Sequence, residues 1–414
     1  MYMKLVEITL DYPYNGGETF CKQELEIAEK YFDEILLISM SGHIGEGNIR
    51  YVPPNAKLIN ARKARYEASV YLKSFFQLLR IRTIREIVFA KKKLRTKESM
   101  PQILKEIFIY YYYANLLKRV FEKEVIEDDD ILYSYWMAAP AYYLSIKGKK
   151  ALKVSRTHRF DCFIEECYQP FRREIIEGLD CIISISEAGK KSIEARLIPF
   201  TSCLSEKIKV SRLGIMKKSS ATDFGGKSNK YFTILTCSNI HIVKRLDLMI
   251  KALEKINIPV NWIHIGDGEL GEQIRTQAKV LDSNKYVKYT FKGVLTQQQI
   301  YDFYERNHID LFVNCSDSEG VPVSVMEAIS FGIPVIARDV GGNSEIVSSE
   351  NGILLDKNIT PKVLMEAIRS ILLLDDDKYI NLRKNAVRKY RECFMASENY
   401  SNFFEMLISM AKEK

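Results

Sequence analysis

Short apolar runs alternate with helical stretches along the whole chain, and this alternation most narrows the folds open to it. In the first half the runs that read as strands are Lys4–Leu10, Glu34–Ser39, Ile131–Ser134, Leu152–Ser155 and Cys181–Ile185. The first helical pattern opens after Asn15-Gly16-Gly17 and places Leu25, Ile27, Ala28, Tyr31 and Phe32 on one apolar face. In the second half the runs are Phe232–Thr236, Asn261–Ile265, Tyr286–Phe291, Ile309–Val313, Pro334–Ala337 and Gly352–Leu355. Helical patterns at Lys244–Lys255, Glu269–Leu281, Thr296–Arg306 and Pro361–Leu374 separate them. Strands joined through helices pair in parallel, so the expected fold class is α/β with two doubly wound domains.

At 414 residues the chain exceeds what one hydrophobic core usually organises, which agrees with two domains. Val210–Gly214 ends the first series, and residues 217–230, rich in Ser, Gly and Lys, read as a linker. The predicted division is 1–216, the linker 217–230, and 231–395, with 396–414 forming a helix that returns to the first domain. Ligands of open parallel sheets bind beyond the carboxyl ends of the strands, so a cleft between two such domains is the expected site.

Charged residues make up 28% and hydrophobic ones 47%, ordinary for a globular chain. No apolar run reaches the roughly 18 residues of a membrane helix, and Met1-Tyr2-Met3-Lys4 leads straight into a strand. The expectation is a cytoplasmic protein, peripheral at most on the inner face of the plasma membrane. The eight cysteines form no CxxC pair, and Cys162 and Cys167, the closest two, lack zinc-ligand partners; they read as reduced thiols. The net charge of +8 is concentrated: Asn60–Lys97 holds twelve Lys or Arg against two acidic residues, interleaved with Tyr66, Tyr71, Leu72, Phe75, Phe76, Leu78, Leu79 and Ile81. This segment belongs to a basic helical insertion at about 60–125. It reads either as solvated or as an amphipathic surface for anionic lipid. No nucleic-acid partner is expected.

The stretch Phe312–Ala328 carries the most chemistry. A strand ends at Val313, a polar loop follows, Pro322 suits the first turn of a helix, and Gly332 closes that helix with Pro334 just beyond. A helix N-terminus is thereby set at a strand's carboxyl edge, where the Val323 and Ser324 amides suit a phosphate. Glu319 stands before the helix and Glu327 about one and a half turns inside it, framing Gly320-Val321-Pro322.

This arrangement resembles the Glu-x7-Glu motif of glycosyltransferase family 4, a retaining family with the GT-B fold of two Rossmann-like domains facing across a cleft. The resemblance continues through Gly332–Ala337, Asp339–Val347 and Asn351-Gly352. Upstream, Ser238–Arg245 resembles the family's phosphate loop, Ile265–Leu270 its next strand turn and Phe291-Lys292-Gly293 its nucleobase loop. In the first half, Gly16-Gly17 resembles the glycine loop that approaches the donor phosphates, and Ser155–Asp161 the strand end whose His158 faces the donor sugar.

The resemblance implies a retaining hexosyltransferase using a nucleotide-diphosphate sugar, UDP favoured over GDP, and a lipid-linked or oligosaccharide acceptor in surface polysaccharide biosynthesis. His158, Glu319 and Lys244 would be catalytic. Gly16, Gly17, Asn239, Arg245, Lys292, Gly293, Gly320, Val321, Val323, Ser324 and Glu327 would hold the donor. The family often has Gly-Arg-Leu where this chain has Ser238-Asn239-Ile240, which leaves the cationic role to Lys244 with Arg245. No Asp-x-Asp segment accompanies the motifs, and Asp128-Asp129-Asp130 reads as preceding a strand, so neither metal nor cofactor is expected. A dinucleotide oxidoreductase would need a third glycine after Gly266-Asp267-Gly268. A glycogen-type phosphorylase would need a pyridoxal-phosphate lysine site, and a nucleotide-sugar epimerase could share the shape. The non-enzymatic alternative is a weak or inactive relative serving as a membrane-docked assembly subunit.

Overall fold

The computed structural model describes the chain apart from residues 1, 15–17, 19, 43–48, 63–66, 149, 163–167, 198–200, 202–203, 217–224 and 229. It forms two compact units, Met1–Gly214 with Ala396–Lys414, and Ile215–Met395.

The first unit is built on seven strands: β1 (Lys4–Thr9), β2 (Glu34–Ser39), β3 (Ala56–Asn60), β4 (Ile131–Ser134), β5 (Leu152–Thr157), β6 (Cys181–Ser184) and β7 (Ile208–Val210). All pair in parallel in the order β3-β2-β1-β4-β5-β6-β7. The inner strands are almost wholly buried runs such as Ile35-Leu36-Leu37-Ile38, as a sheet covered on both faces requires. β3 and β7 were not legible in the sequence. Both are edge strands, β3 is half-exposed or exposed at all but its last position and β7 is three residues long, so neither shows a continuous apolar run. The helical insertion follows β3, with helices Glu67–Gln77, Ile81–Val88 and Met100–Phe121. The last starts with a Ser99–Gln102 capping box and buries Ile103, Ile107, Tyr110, Ala114 and Leu117 at helical spacing.

The helix Ala396–Glu413 belongs to this unit. Its Phe404 meets Phe32 edge to face at 5.5 Å, and its Phe403 lies under the Arg156 guanidinium at 4.3 Å. Arg156 is itself paired with Glu24 at 2.8 Å, both side chains being fully buried.

The second unit has six parallel strands, β8 (Phe232–Cys237), β9 (Val260–Ile265), β10 (Val287–Phe291), β11 (Leu311–Asn314), β12 (Val335–Arg338) and β13 (Gly352–Leu355), in the order β10-β9-β8-β11-β12-β13. Its core joins Trp262, Met249 and Ile250 with Leu311, Val313 and Ile368. The helix Asp376–Cys393, too charged to stand out in the sequence, docks in part through buried polar contacts. Tyr379 Oη donates to the Asp310 carbonyl at 2.8 Å and Arg383 Nε to the Gly332 carbonyl at 3.0 Å.

In each sheet the strand order reverses once, between β1 and β4 and between β8 and β11. Loops leaving those neighbours diverge and open a crevice at the carboxyl edge. Among the described residues no helix is long and apolar enough to cross a membrane, and the described cysteines are free thiols.

Candidate active site

At the reversal point of the second sheet, the loop after β8 meets the loop after β11. The chain leaves β8 through Ser238 and Asn239, makes a short 3-10 turn at Ile242–Lys244, and only then enters the helix Leu246–Leu253. The sequence placed Lys244 inside that helix. Arg245 instead adopts a left-handed conformation (φ 51°), which separates the two segments and sends the neighbouring cations in different directions. The Asp317 amide donates to the Val243 carbonyl at 2.8 Å and ties the two loops together.

Lys244 Nζ then lies 2.7 Å from Glu319 Oε1, which also accepts from Asn314 Nδ2 at 3.2 Å. Glu319 is buried and Lys244 partly so. The pair therefore combines a low-dielectric setting with access from the crevice. Arg245 was expected on the donor, yet its guanidinium is engaged by Asp247 at 3.0 Å and Asp317 at 3.2 Å. Asp317 is shared with the buried Arg338, whose Nη1 also donates to the Cys315 carbonyl at 2.9 Å. Arg245 thus braces the loop with its charge already matched, and Lys244 is the cation placed beside Glu319. Asn239 is exposed at the same edge, and its carbonyl accepts from the His241 amide at 3.0 Å.

The helix Val323–Ser330 starts at Pro322, whose carbonyl accepts from the Val325 and Met326 amides at 3.2 Å each. The Val323 and Ser324 amides precede the first helical donor, Val325, and have no acceptor among the described residues, as at any helix start without a side-chain cap. Gly320 and Val321 form the lead-in. Their backbone is pressed by Gly341 and Gly342: the Gly342 amide donates to the Gly320 carbonyl at 2.6 Å, and Gly341 has a φ of 55° with the Glu319 carbonyl where a Cβ would lie. The sequence named this glycine pair only as part of the resemblance. The structure gives it the task of fixing the Glu319 loop.

Glu327 is buried in the second turn of this helix, and burial pushes its carboxyl up to about 7, while the Gln297 amide that donates to Oε1 pulls the other way. Gln297, 30 residues upstream, was not picked out from the sequence. Beyond β9 and β10, the Gly266 amide donates to the Gly293 carbonyl at 2.8 Å and the Lys292 amide to the His264 carbonyl at 2.8 Å. These bonds place Lys292 and Gly293 at the same carboxyl edge as the β8 loop, to which the Ile240 amide's 3.1 Å bond to the Asp267 carbonyl connects them.

In the first unit, His158 follows β5. Its Nε2 is 3.1 Å from the Tyr135 carbonyl, which fixes the proton on Nε2 and leaves Nδ1 as an acceptor. Burial, aided by the nearby Arg156 charge, lowers its pKa to about 3, so the ring is neutral. Trp136 packs on it at 4.3 Å. The predicted Gly16 and Gly17 lie outside the described residues. The adjoining Glu18 is described: its carboxylate accepts from the Leu10 and Asp11 amides at 2.8 Å each, the Tyr12 amide at 2.5 Å and the Trp136 indole at 2.6 Å. It spans the β1/β4 reversal point and was missed because an acid after two glycines looks like any turn residue.

Residues 219–389, which contain every one of the second unit's loops described above, match the family model described as Glycosyl transferases group 1. Over 178 residues the chain is 28% identical to the O-antigen biosynthesis glycosyltransferase WbnH of Escherichia coli, covering 43% of this chain and 46% of that protein. Over 195 residues it is 27% identical to the UDP-N-acetylglucosamine–peptide N-acetylglucosaminyltransferase GtfA subunit of Streptococcus parasanguinis, covering 46% of this chain and 36% of that protein. The chain thus matches less than half the length of these curated relatives. The crystal structure of Anabaena HepE in complex with UDP aligns over 99% of this chain and 100% of that one, with a TM-score of 0.63 at 17% identity, a likeness of fold. The two parallel sheets are those of a GT-B protein, and the unit that holds Lys244 against Glu319 is the part of the chain that matches the group 1 glycosyl transferase model.

Proposed function

We propose that the chain is a retaining hexosyltransferase that moves a sugar from a UDP-sugar to a lipid-linked or saccharide acceptor in surface polysaccharide biosynthesis. The observation that carries this reading is the Lys244–Glu319 pair at the β8/β11 reversal point, beside the open helix start at Val323. As the bond between the anomeric carbon and the diphosphate breaks, negative charge grows on the departing phosphate. The Lys244 ammonium and the Val323 and Ser324 amides stabilise that charge, and Glu319 holds Lys244 and accepts from sugar hydroxyls. Glu327 takes the ribose hydroxyls, with Lys292 and Gly293 at the base. The resemblance assigns His158, Gly16 and Gly17 to the donor as well, and the neutral His158 ring has Nδ1 as an acceptor. With the positive charge supplied by the protein, no metal is needed. Support for UDP and for a surface polysaccharide comes from the names of the two relatives.

Incubation of the purified chain with UDP- and GDP-sugars and lipid-linked or free saccharide acceptors, with NMR of the anomeric proton in the product, tests this. A product of inverted configuration would overturn the retaining mechanism. A second reading, a weak or inactive relative in a membrane-docked assembly, is favoured by one feature: Asn239 is neutral and Arg245 is matched by two aspartates, which leaves a single cation at the diphosphate. Nucleotide binding without turnover of any donor would select it.

A further inference from the structure

The helices Glu67–Gln77 and Ile81–Val88 turn most of their apolar side chains outward. Their inward side joins Val70 and Ile87, packed on the core, with three buried polar residues, Ser74, Thr83 and Glu86. Ser74 Oγ accepts from Asn115 Nδ2 at 2.9 Å, Thr83 Oγ1 lies 3.0 Å from Tyr111 Oη, and Glu86 accepts from Tyr168 Oη at 2.7 Å. Their outward side is apolar. Leu72, Phe75, Phe76, Leu79, Ile81 and Ile84 are each more than half exposed, Phe76 at 62% and Leu79 at 76%. A helix that folded only to cover the core would present the reverse pattern, and an apolar patch held in water marks a surface for something else.

The charge around the patch says what that is. Lys73, Arg80, Arg85, Lys92 and Lys93 are exposed on the same segment and form no ion pair among the described residues. A second copy is a poor match, because a two-fold contact would set this basic patch against itself. We infer that the segment docks the chain on an anionic lipid bilayer, with the apolar side chains entering the boundary between headgroups and acyl chains and the Lys and Arg side chains against lipid phosphates. Contact is interfacial, since no helix of the described residues can span the bilayer. The inference extends the reading of a lipid-linked acceptor and rests on it for its purpose, while the surface itself is read from exposure and charge.

Flotation of the full chain with vesicles of phosphatidylcholine alone, and of an equimolar mixture with phosphatidylglycerol, at about 0.05 and 0.5 M salt tests the proposal. Binding is expected on the anionic vesicles, weakening by about tenfold or more on neutral vesicles and falling with salt. The double variant F75S/F76S and the charge variant R80E/R85E should each lower binding to anionic vesicles by about tenfold or more. Absence of binding to anionic vesicles, or binding that neither variant changes, overturns the proposal. So does a concentration-dependent dimer that F75S/F76S abolishes, which would assign the patch to a second copy. The thermal shift of each variant with UDP is read in parallel. A retained shift shows that a loss of docking is not unfolding, and it keeps failure of docking separate from failure of the transferase reading.

Discussion

Lys244 Nζ stands 2.7 Å from Glu319 Oε1, and this contact joins two loops 75 residues apart across the point where the second sheet reverses its strand order. The lysine is therefore held in place with its charge matched. A diphosphate arriving at the Val323 helix start would share it, and a growing negative charge would draw on it most at the transition state.

Lys244→Met should lower kcat/KM for the donor by about a hundredfold or more, with most of the loss in kcat. It should also destabilise the fold by about 1–3 kcal/mol, because Glu319 would keep its burial and lose its cation, though the partial exposure of Lys244 moderates the cost. Steady-state kinetics with saturating donor and a urea titration measure the two effects. A full kcat would remove Lys244 from the chemistry.

Glu327 makes nucleotide binding depend on pH. Burial raises its carboxyl to about 7, so just below neutrality the unliganded site holds it mostly protonated. In the proposed complex ribose hydroxyls would donate to the ionised form, so binding would expel a proton, and UDP affinity should rise with pH, by up to about tenfold per unit, until it levels above about 7. For folding the sign is opposite. A raised carboxyl pKa means the native state binds more protons than the unfolded chain between 4.5 and about 7, so its contribution to stability is lost as pH rises through that window. Calorimetry in buffers of different ionisation enthalpy reads the proton release, and Glu327→Gln should abolish it.

Gly341→Ala should disturb the site without touching a ligand. A Cβ there meets the Glu319 carbonyl at a positive φ, so the Glu319–Gly320 backbone must move, at a cost of about 1–3 kcal/mol. Expected are a lower Tm and weaker UDP binding together. An unchanged UDP affinity would show that the Glu319 loop tolerates displacement.

Glu18→Ala should leave the Leu10, Asp11 and Tyr12 amides and the Trp136 indole without their acceptor, at about 2–3 kcal/mol. Since this carboxylate ties the segment after β1 to the Trp136 indole, turnover should fall while UDP binding to the second unit persists. Glu18→Gln, which keeps an acceptor, should recover part of the activity.

Chelation is expected to spare the reaction. Activity after dialysis against EDTA should match that of the untreated protein, and restoration only by added divalent cation would contradict a charge clamp made from Lys244 and helix amides.

The sequence by itself determined whatever is local or periodic. Alternating apolar runs and helical faces announced parallel sheets, because a strand buried on both faces must be apolar throughout. Pro322, Gly332 and the spacing of Glu319 to Glu327 marked a helix start at a strand's end, because caps and breakers act within a turn or two of themselves. What only the tertiary structure decided is which charges meet. Lys244 and Arg245 are neighbours in sequence, yet the left-handed turn at Arg245 gives one to Glu319 and the other to Asp247 and Asp317. Glu327 finds Gln297, and Glu18 finds Trp136, 118 residues on. Edge strands β3 and β7 and the charged helix Asp376–Cys393 likewise acquire their places by contact rather than by pattern. Pairings of this kind follow from strand order, and the order of a parallel sheet is set by how crossovers pack, which no short window of sequence records.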